Sequence, residues 1–252
     1  MEREAFFHLI WGWVTLGFLT FILLLFITAP YGRYSRKDWG PSIPNRVGWI
    51  IMEFPSLLVF ILTFMFGPKG IQPVTWIFFA LYVFHYSNRS LLWPLRTRTA
   101  GKQMPLVVVF MAVSFNLVNG FINGYYFSAF SRVYDWDWLV DVRFILGIIL
   151  WGLGVFLNWW SDQLLLDLRK GGKKGYFIPH GGMFRWVSCP NFLGEILEWT
   201  GFAVMTWSPA ALAFALWTFF NLVPRAKDHH LWYRSTFPDY PPERKAILPF
   251  II

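Results

Sequence analysis

"PLVVVFMAVSFNLVNGFINGYYFSAFS", residues 105–131, contains no charged side chain. A helix of that length exceeds the roughly 30 Å of hydrocarbon in a bilayer. In lipid every backbone N–H and C=O must be paired inside the segment, so the stretch reads as a transmembrane helix. Asn116, Asn119 and Asn123 nevertheless recur within it at i, i+3 and i+7, giving one polar stripe, while Gly120 and Gly124 permit a neighbouring helix to approach closely. Interhelical hydrogen bonding accounts for such a stripe without catalysis. A bound ligand's amide or hydroxyl could use the same donors and acceptors.

The rest of the chain has the same character. It is 56% hydrophobic and only 14% charged, against about 25% charged in an ordinary soluble domain. Seven spans are expected, near 6–29, 49–66, 72–95, 105–130, 142–163, 190–206 and 209–223. The expected fold is all-α, a polytopic seven-transmembrane-helix bundle, with residues 1–252 forming a single membrane-embedded domain. The second span is short, which leaves six spans as the alternative. The last two share one long apolar run interrupted by "WSP", residues 207–209, which predicts a tight helical hairpin. The first run does not resemble a signal peptide, because its apolar part is too long and Glu2 and Glu4 offset Arg3.

The formal charge of +8 is mainly a topology signal. Lys and Arg cluster in 31–48, 96–104, 167–189 and the tail from Pro224, which are alternate connections in the seven-span reading. The opposite ends carry Arg3, Lys69 and Arg132, with Asp135, Asp137 and Asp141 nearby. The positive-inside rule then puts the N-terminus outside or lumenal and the C-terminus in the cytoplasm. No nucleic-acid partner is implied; membrane lipids are. The single cysteine, Cys189, excludes an intramolecular disulfide and a cysteine-rich metal site. The longest basic loop, "DLRKGGKKGYFIPHGGMFRWVSCP" (167–190), suits anionic lipid or a bound phosphate. It lacks the glycine spacing of a Rossmann or Walker loop.

Polar residues at membrane depth are costly and mark interior contacts or function. Glu53, in "IMEFPS" (51–56), sits between two apolar runs. His85, Tyr86 and Arg89 share a helical face in "FHYSNRS", although snorkelling of Arg89 and interfacial placement of Tyr86 would also explain them. The "NRS" at 88–90 is formally a glycosylation motif in an expected span. Asn158 and Asp162 are four apart on a face running toward Arg169. Asn191, Glu195 and Glu198 repeat the pattern after the basic loop, and two carboxylates within one turn are hard to assign to packing alone. His229, His230 and Tyr233 follow in the tail, where the adjacent histidines point apart on a helix and make no metal-ligand arrangement.

The wording of these polar segments is similar to the membrane-bound steroid 5-alpha-reductases (3-oxo-5-alpha-steroid 4-dehydrogenases). The resemblance runs from "MEFPS" onward through "HYSNR", "NGFINGYY", "DVRF", "SDQLLLDLRK", "FIPHGG", "NFLGEILEWTGFA" and "FPDYPPERKAILPFI". It implies seven transmembrane helices and NADPH-dependent reduction of the 4,5 double bond of a 3-oxo-4-ene steroid. By position it implies Glu53 and Tyr86 as the catalytic pair. It implies Asn158, Asp162, Arg169, Tyr176, Asn191, Glu195, Arg225, His229 and Tyr233 as cofactor residues, with Arg98 and Asn119 as further contacts and Arg96 and Glu198 as weaker ones. Met52 stands where the mammalian enzymes resemble "QE", and Phe177 where they usually carry arginine, so one substrate contact and one phosphate contact differ. A monomer in the bacterial inner membrane or the endoplasmic reticulum is expected. The alternative is a membrane enoyl reductase acting on long-chain acyl or other lipid enones. Methyl transfer and ion-coupled transport are more distant readings of the same polar constellation.

Overall fold

The computed structural model describes residues 1–252 except 30, 31, 35–37, 98, 100, 173, 174 and 252. The described chain is all-α apart from one short ladder. Its helices are α1 (Arg3–Leu24), α2 (Asn45–Met65), α3 (Thr75–Ser87), α4 (Trp93–Arg96), α5 (Leu106–Tyr125), α6 (Val142–Asp167), α7 (Pro190–Thr206) and α8 (Pro209–Thr236). Among the described residues, Arg3–Leu24, Asn45–Met65, Leu106–Phe130 and Val142–Asp167 are long and apolar enough to cross a bilayer. The protein is therefore a polytopic membrane protein. The chain divides into two compact units, one of Met1–Glu4 and Ala29–Asp141, the other of Ala5–Thr28 and Val142–Ile252.

In the first unit, β1 (Ser42–Pro44) pairs antiparallel with β2 (Gln103–Pro105), with Ile43 opposite Met104. Each strand runs straight into a helix, so the ladder starts α2 and α5 side by side. Glycine then sets how closely they pack. A Cβ on Gly120 would lie 2.7 Å from the Ser56 carbonyl, and one on Gly124 would lie 2.6 Å from the Phe60 carbonyl. Only a hydrogen at those positions allows the two backbones to touch. The third expected span is not one regular helix: between α3 and α4, residues Asn88–Leu92 form a π-helical turn. Pro94 has no N–H for the Ser90 carbonyl and its ring crowds that carbonyl, so the ladder widens and Trp93 N–H bonds Asn88 O instead.

In the second unit, α6 and α7 are antiparallel and meet through four glycines. Gly147 and Gly154 face the backbone at Met205 and Glu198, while Gly201 and Gly194 face the backbone at Trp151 and Asn158. The glycines repeat every seven residues on each helix, which keeps them on one seam over two turns. The α7–α8 hairpin expected from "WSP" is present. Trp207 takes a left-handed conformation (φ 45°), and Ser208 caps α8 by accepting the Ala211 N–H at 3.1 Å. α8 runs on beyond the expected span 209–223 to Thr236, with Pro224 inside it. A proline costs a helix interior about 3 kcal/mol, and here Leu222, Pro224 and Ala226 are all buried, so packing offsets the lost hydrogen bond. α1 packs on α8, with Trp217 Nε1 donating to Trp13 O at 2.8 Å and the two rings 4.9 Å apart.

The loop before α7 is stitched to the C-terminal segment. Val187 and Lys245 form a parallel bridge, Lys245 N–H bonds Trp186 O at 2.9 Å, and Ser188 and Cys189 N–H bond Lys245 O and Ala246 O. Ala246 and Ile247 are buried against Cys189 and Leu193.

Candidate active site

Within the first unit, α2, α3 and α5 bring together the polar residues that the sequence scatters over three segments. Tyr86 is 3% exposed, and its ring lies 4.8 Å from that of Tyr82, one turn earlier on α3. Its hydroxyl donates to Asn116 Oδ1 at 3.5 Å and receives from Asn119 Nδ2 at 3.4 Å. Asn116 Nδ2 in turn donates to Met52 O at 2.6 Å and to Glu53 Oε2 at 3.4 Å. Glu53 and Tyr86 thus belong to one cluster, with Asn116 in contact with both. The carboxylate also faces Arg89, whose Nε is 3.6 Å from Oε1. Arg89 is itself held against α2: its guanidinium lies 4.9 Å from the Trp49 ring centroid, and Trp49 Nε1 donates to its carbonyl.

Asn119, expected among the cofactor contacts, lies against the hydroxyls of both Tyr82 and Tyr86, at 3.3 and 3.4 Å. Tyr82 and Ser56, which share a hydrogen bond of 2.8 Å, belong to the same network and are not singled out by the sequence reading. A signal for them exists there: Tyr82 is four residues before Tyr86, and Ser56 three after Glu53, so each shares a helical face with its partner. Met52 is buried with Met104 and Val109, and only its carbonyl joins the polar cluster.

In the second unit the close α6–α7 seam sets the spacing of another polar group. Asn158 Nδ2 donates to Asn191 O at 2.9 Å, and Asn191 Nδ2 donates to Asp162 Oδ1 at 3.0 Å. Phe192 is flanked by the Arg225 guanidinium at 5.0 Å and the His229 ring at 5.7 Å. Arg225 also donates to Asn221 Oδ1 at 3.0 Å. Arg169 lies 5.5 Å from the Tyr176 ring, which packs edge-on against Trp232. Tyr233 is buried and stacked on Tyr240 and Phe237. Glu195 is half-buried on α7 and Glu198 fully buried there; Arg96 ends α4. Arg98 lies outside the described residues.

The two tail histidines separate as a helix requires. His229 meets Phe192, whereas His230 Nδ1 lies 2.7 Å from Ser188 Oγ, which is also 2.7 Å from the Tyr240 hydroxyl. His230 lies beyond the expected span 209–223. Burial, and then the charges of Arg234 and Lys245, push its pKa below the usual 6.5. The folded protein therefore binds this proton less readily than the unfolded chain, and stability falls as pH drops below about 6.5 until the folded-state value is passed. Thermal unfolding in nanodiscs between pH 8 and 5 should show that loss, and His230→Gln should flatten it. An equally steep acid loss in the variant would assign the effect elsewhere.

Similarity across almost the whole chain decides the family. The family profile described as 3-oxo-5-alpha-steroid 4-dehydrogenase matches residues 102–252. The steroid 5-alpha-reductase DET2 of Solanum lycopersicum is 41% identical over 254 residues, covering 99% of this chain and 98% of its own. The chain belongs to this family. The 3-oxo-5-alpha-steroid 4-dehydrogenase 1 of Bos taurus is 40% identical over 94% of this chain and 93% of its own. That of Homo sapiens is 40% identical over 88% and 85%.

Proposed function

We propose that this chain reduces the 4,5 double bond of 3-oxo-4-ene steroids to give 5-alpha-3-oxosteroids, using NADPH, with residues 1–252 working as one membrane-embedded domain. The observation that carries the reading is a buried tyrosine and asparagine hydrogen-bonded to each other and to a partly buried glutamate between apolar helices, in a member of this family.

Reducing a conjugated enone at its β carbon drives negative charge onto the carbonyl oxygen. Tyr86 donates to that C3 oxygen. Because the hydrogen bond strengthens as charge develops, it lowers the barrier rather than merely tightening binding. Glu53 orients the donor through the cluster, and Arg89 beside it keeps the carboxylate partnered. Apolar side chains around the cluster suit a steroid skeleton.

NADPH, when bound, would supply the hydride that adds at C5, and a proton taken up at C4 by way of water would complete the saturated ketone. The donor set of the second unit fits such a group. Arg169 and Arg225 offer guanidiniums for its phosphates, and Asp162, Asn191, Asn158 and Glu195 offer acceptors and amides for its ribose and carboxamide. Tyr176, His229 and Tyr233 complete that set, with Arg98 assigned by resemblance alone. Asn119, in the first unit, is likewise a cofactor contact by resemblance alone. Arg169→Gln and Arg225→Gln should each raise the NADPH dissociation constant on the order of tenfold or more, as expected for a lost charge-assisted hydrogen bond. Fluorescence titration reads this directly, and unchanged affinity in both variants would remove them from the phosphate site.

The same reading takes the α3–α4 segment, α7 and residues 209–223 of α8 as three further spans beside the four long apolar helices, giving seven. The basic connections support an N-terminus outside or lumenal and a cytoplasmic C-terminus, in the bacterial inner membrane or the endoplasmic reticulum. The protein works as a monomer. The deciding experiment is conversion by purified protein, with NADPH, of testosterone or progesterone and, in parallel, of a trans-2-enoyl thioester, with product mass and stereochemistry determined. A 5-alpha steroid product supports the proposal. Reduction of the thioester with no steroid product overturns it in favour of an enoyl reductase.

A further inference from the structure

Asn116 is 4% exposed, and its side-chain amide can sit only one way round. The atom 2.6 Å from the Met52 carbonyl oxygen must be the nitrogen, since two acceptors do not approach so closely. That choice leaves Nδ2 facing Glu53 and Oδ1 facing the Tyr86 hydroxyl. The orientation of Asn119 is fixed in the opposite sense. Its Oδ1 accepts from Asn123 Nδ2 at 3.3 Å, so its nitrogen faces the Tyr82 and Tyr86 hydroxyls.

A phenol has one hydrogen to give and two lone pairs to receive with. Asn119 donates to the Tyr86 oxygen. The Tyr82 and Ser56 hydroxyls also bond to it and can each give or receive a hydrogen, whereas Asn116 Oδ1 can only receive one, so the two amides bias the direction of the hydroxyl. We propose that Asn116 is a positioning residue that sets Tyr86 as a donor: it holds the phenolic hydrogen when no substrate is present and yields it to the carbonyl oxygen of a bound enone. The exchange replaces one carbonyl acceptor by another and leaves the Asn119 bond in place, so the donor is ready without reorganisation. Glu53 contributes from the other end. A carboxylate accepting from Nδ2 polarises the amide and makes Oδ1 a better acceptor, since chains of hydrogen bonds reinforce one another. An apolar side chain would fill the site between α2 and α5 equally well but could not make these contacts.

The identity of the carbonyl rests on the proposed function, whereas the direction of the hydroxyl does not. Two measurements separate them. The ultraviolet band of a bound 3-oxo-4-ene steroid moves to longer wavelength when its carbonyl accepts a strong hydrogen bond, and it can be recorded without cofactor. Single-turnover reduction in the presence of NADPH gives the rate. With Asn116→Leu we expect the band to shift back toward its position in apolar solvent. The rate should fall on the order of 10- to 100-fold, with steroid affinity changed by less than about threefold. In Asn116→Asp the introduced carboxyl can mimic the amide only when protonated, so its rate should climb as pH falls from about 8 to 5.5, a dependence absent from the wild-type protein and from Asn116→Leu.

A folded Asn116→Leu protein with an unshifted band and a wild-type rate overturns the proposal. If that variant does not fold, an Asn116→Asp rate that follows the wild-type pH profile overturns it. A wild-type protein that binds the steroid with a shifted band but never reduces it, while Asn116→Leu loses the shift, would count against the proposed reaction and support the role of Asn116.

Discussion

Tyr86→Phe should lower single-turnover reduction of a bound 3-oxo-4-ene steroid on the order of 10²–10³-fold, while steroid and NADPH affinities stay within about threefold. That is the usual consequence of removing one donor aimed at a developing oxyanion. The loss should fall on the rate rather than on binding, because the hydrogen bond to a neutral carbonyl is weak and becomes strong only as charge arrives. The ring of Tyr86 is packed on Tyr82, and phenylalanine keeps that contact, so the fold should survive. Glu53→Gln should act in the same direction with a smaller effect. Glutamine removes the charge facing Arg89 but can still offer Asn116 an acceptor. Rapid-quench measurements with preloaded NADPH separate the chemical step from binding. Near-wild-type turnover in a correctly folded Tyr86→Phe protein would remove the tyrosine from the mechanism.

The largest effect on folding is expected at the glycine seam. Gly154→Ala places a methyl group into the backbone at Glu198 and 2.6 Å from the Gly194 carbonyl, where no flexible side chain can yield. Overpacking a well-packed site costs about 1–3 kcal/mol, and a clash of backbone with backbone belongs at the top of that range or above it. Two residues earlier, a Cβ on Gly152 would meet no neighbouring element within 4 Å. Gly152→Ala should therefore stabilise the same helix by up to about 1 kcal/mol through helix propensity alone. The pair serves as its own control: two identical substitutions on α6, opposite in sign, read by equilibrium unfolding in mixed micelles. Equal stability of the two variants would show that α6 and α7 do not approach closely at this seam. Because the seam also spaces Asn158 and Asp162 against Asn191, Gly154→Ala should weaken NADPH binding as well.

What can be read from sequence depends on whether a feature is local. The uncharged run at 105–131, the hairpin at "WSP" and the cost of a carboxylate at Glu53 each follow from a short window and the chemistry of the bilayer. The apolar span 209–223 is legible too, but that its helix continues through Pro224 to Thr236 depends on the burial of Leu222, Pro224 and Ala226, which outweighs the local penalty of a proline. The π-helical turn at Asn88–Leu92 can be suspected only by asking what Pro94 does to the preceding ladder. The asparagine stripe on α5 is visible as a stripe, but not that Asn116 reaches Glu53 on one side and Tyr86 on the other. That depends on how closely Gly120 lets α5 approach α2 and on which way round the amide lies. The spacing of Tyr82 to Tyr86 puts it on the same face, but a tyrosine among aromatic residues looks like packing until its hydroxyl is traced to Ser56.

The backbone pairing of residues 186–189 with 245 and 246 also orders events in time. Every residue of the first unit, Met1–Glu4 and Ala29–Asp141, has been synthesised once Asp141 is in place. The second unit, by contrast, needs α1 from the beginning of the chain and the Lys245 segment from near its end. Its loop cannot complete its hydrogen bonds until residue 246 has left the ribosome. Insertion into the membrane and maturation of the second unit's polar group are therefore separate steps, and a nascent chain halted before Lys245 would be threaded through the bilayer yet unfinished.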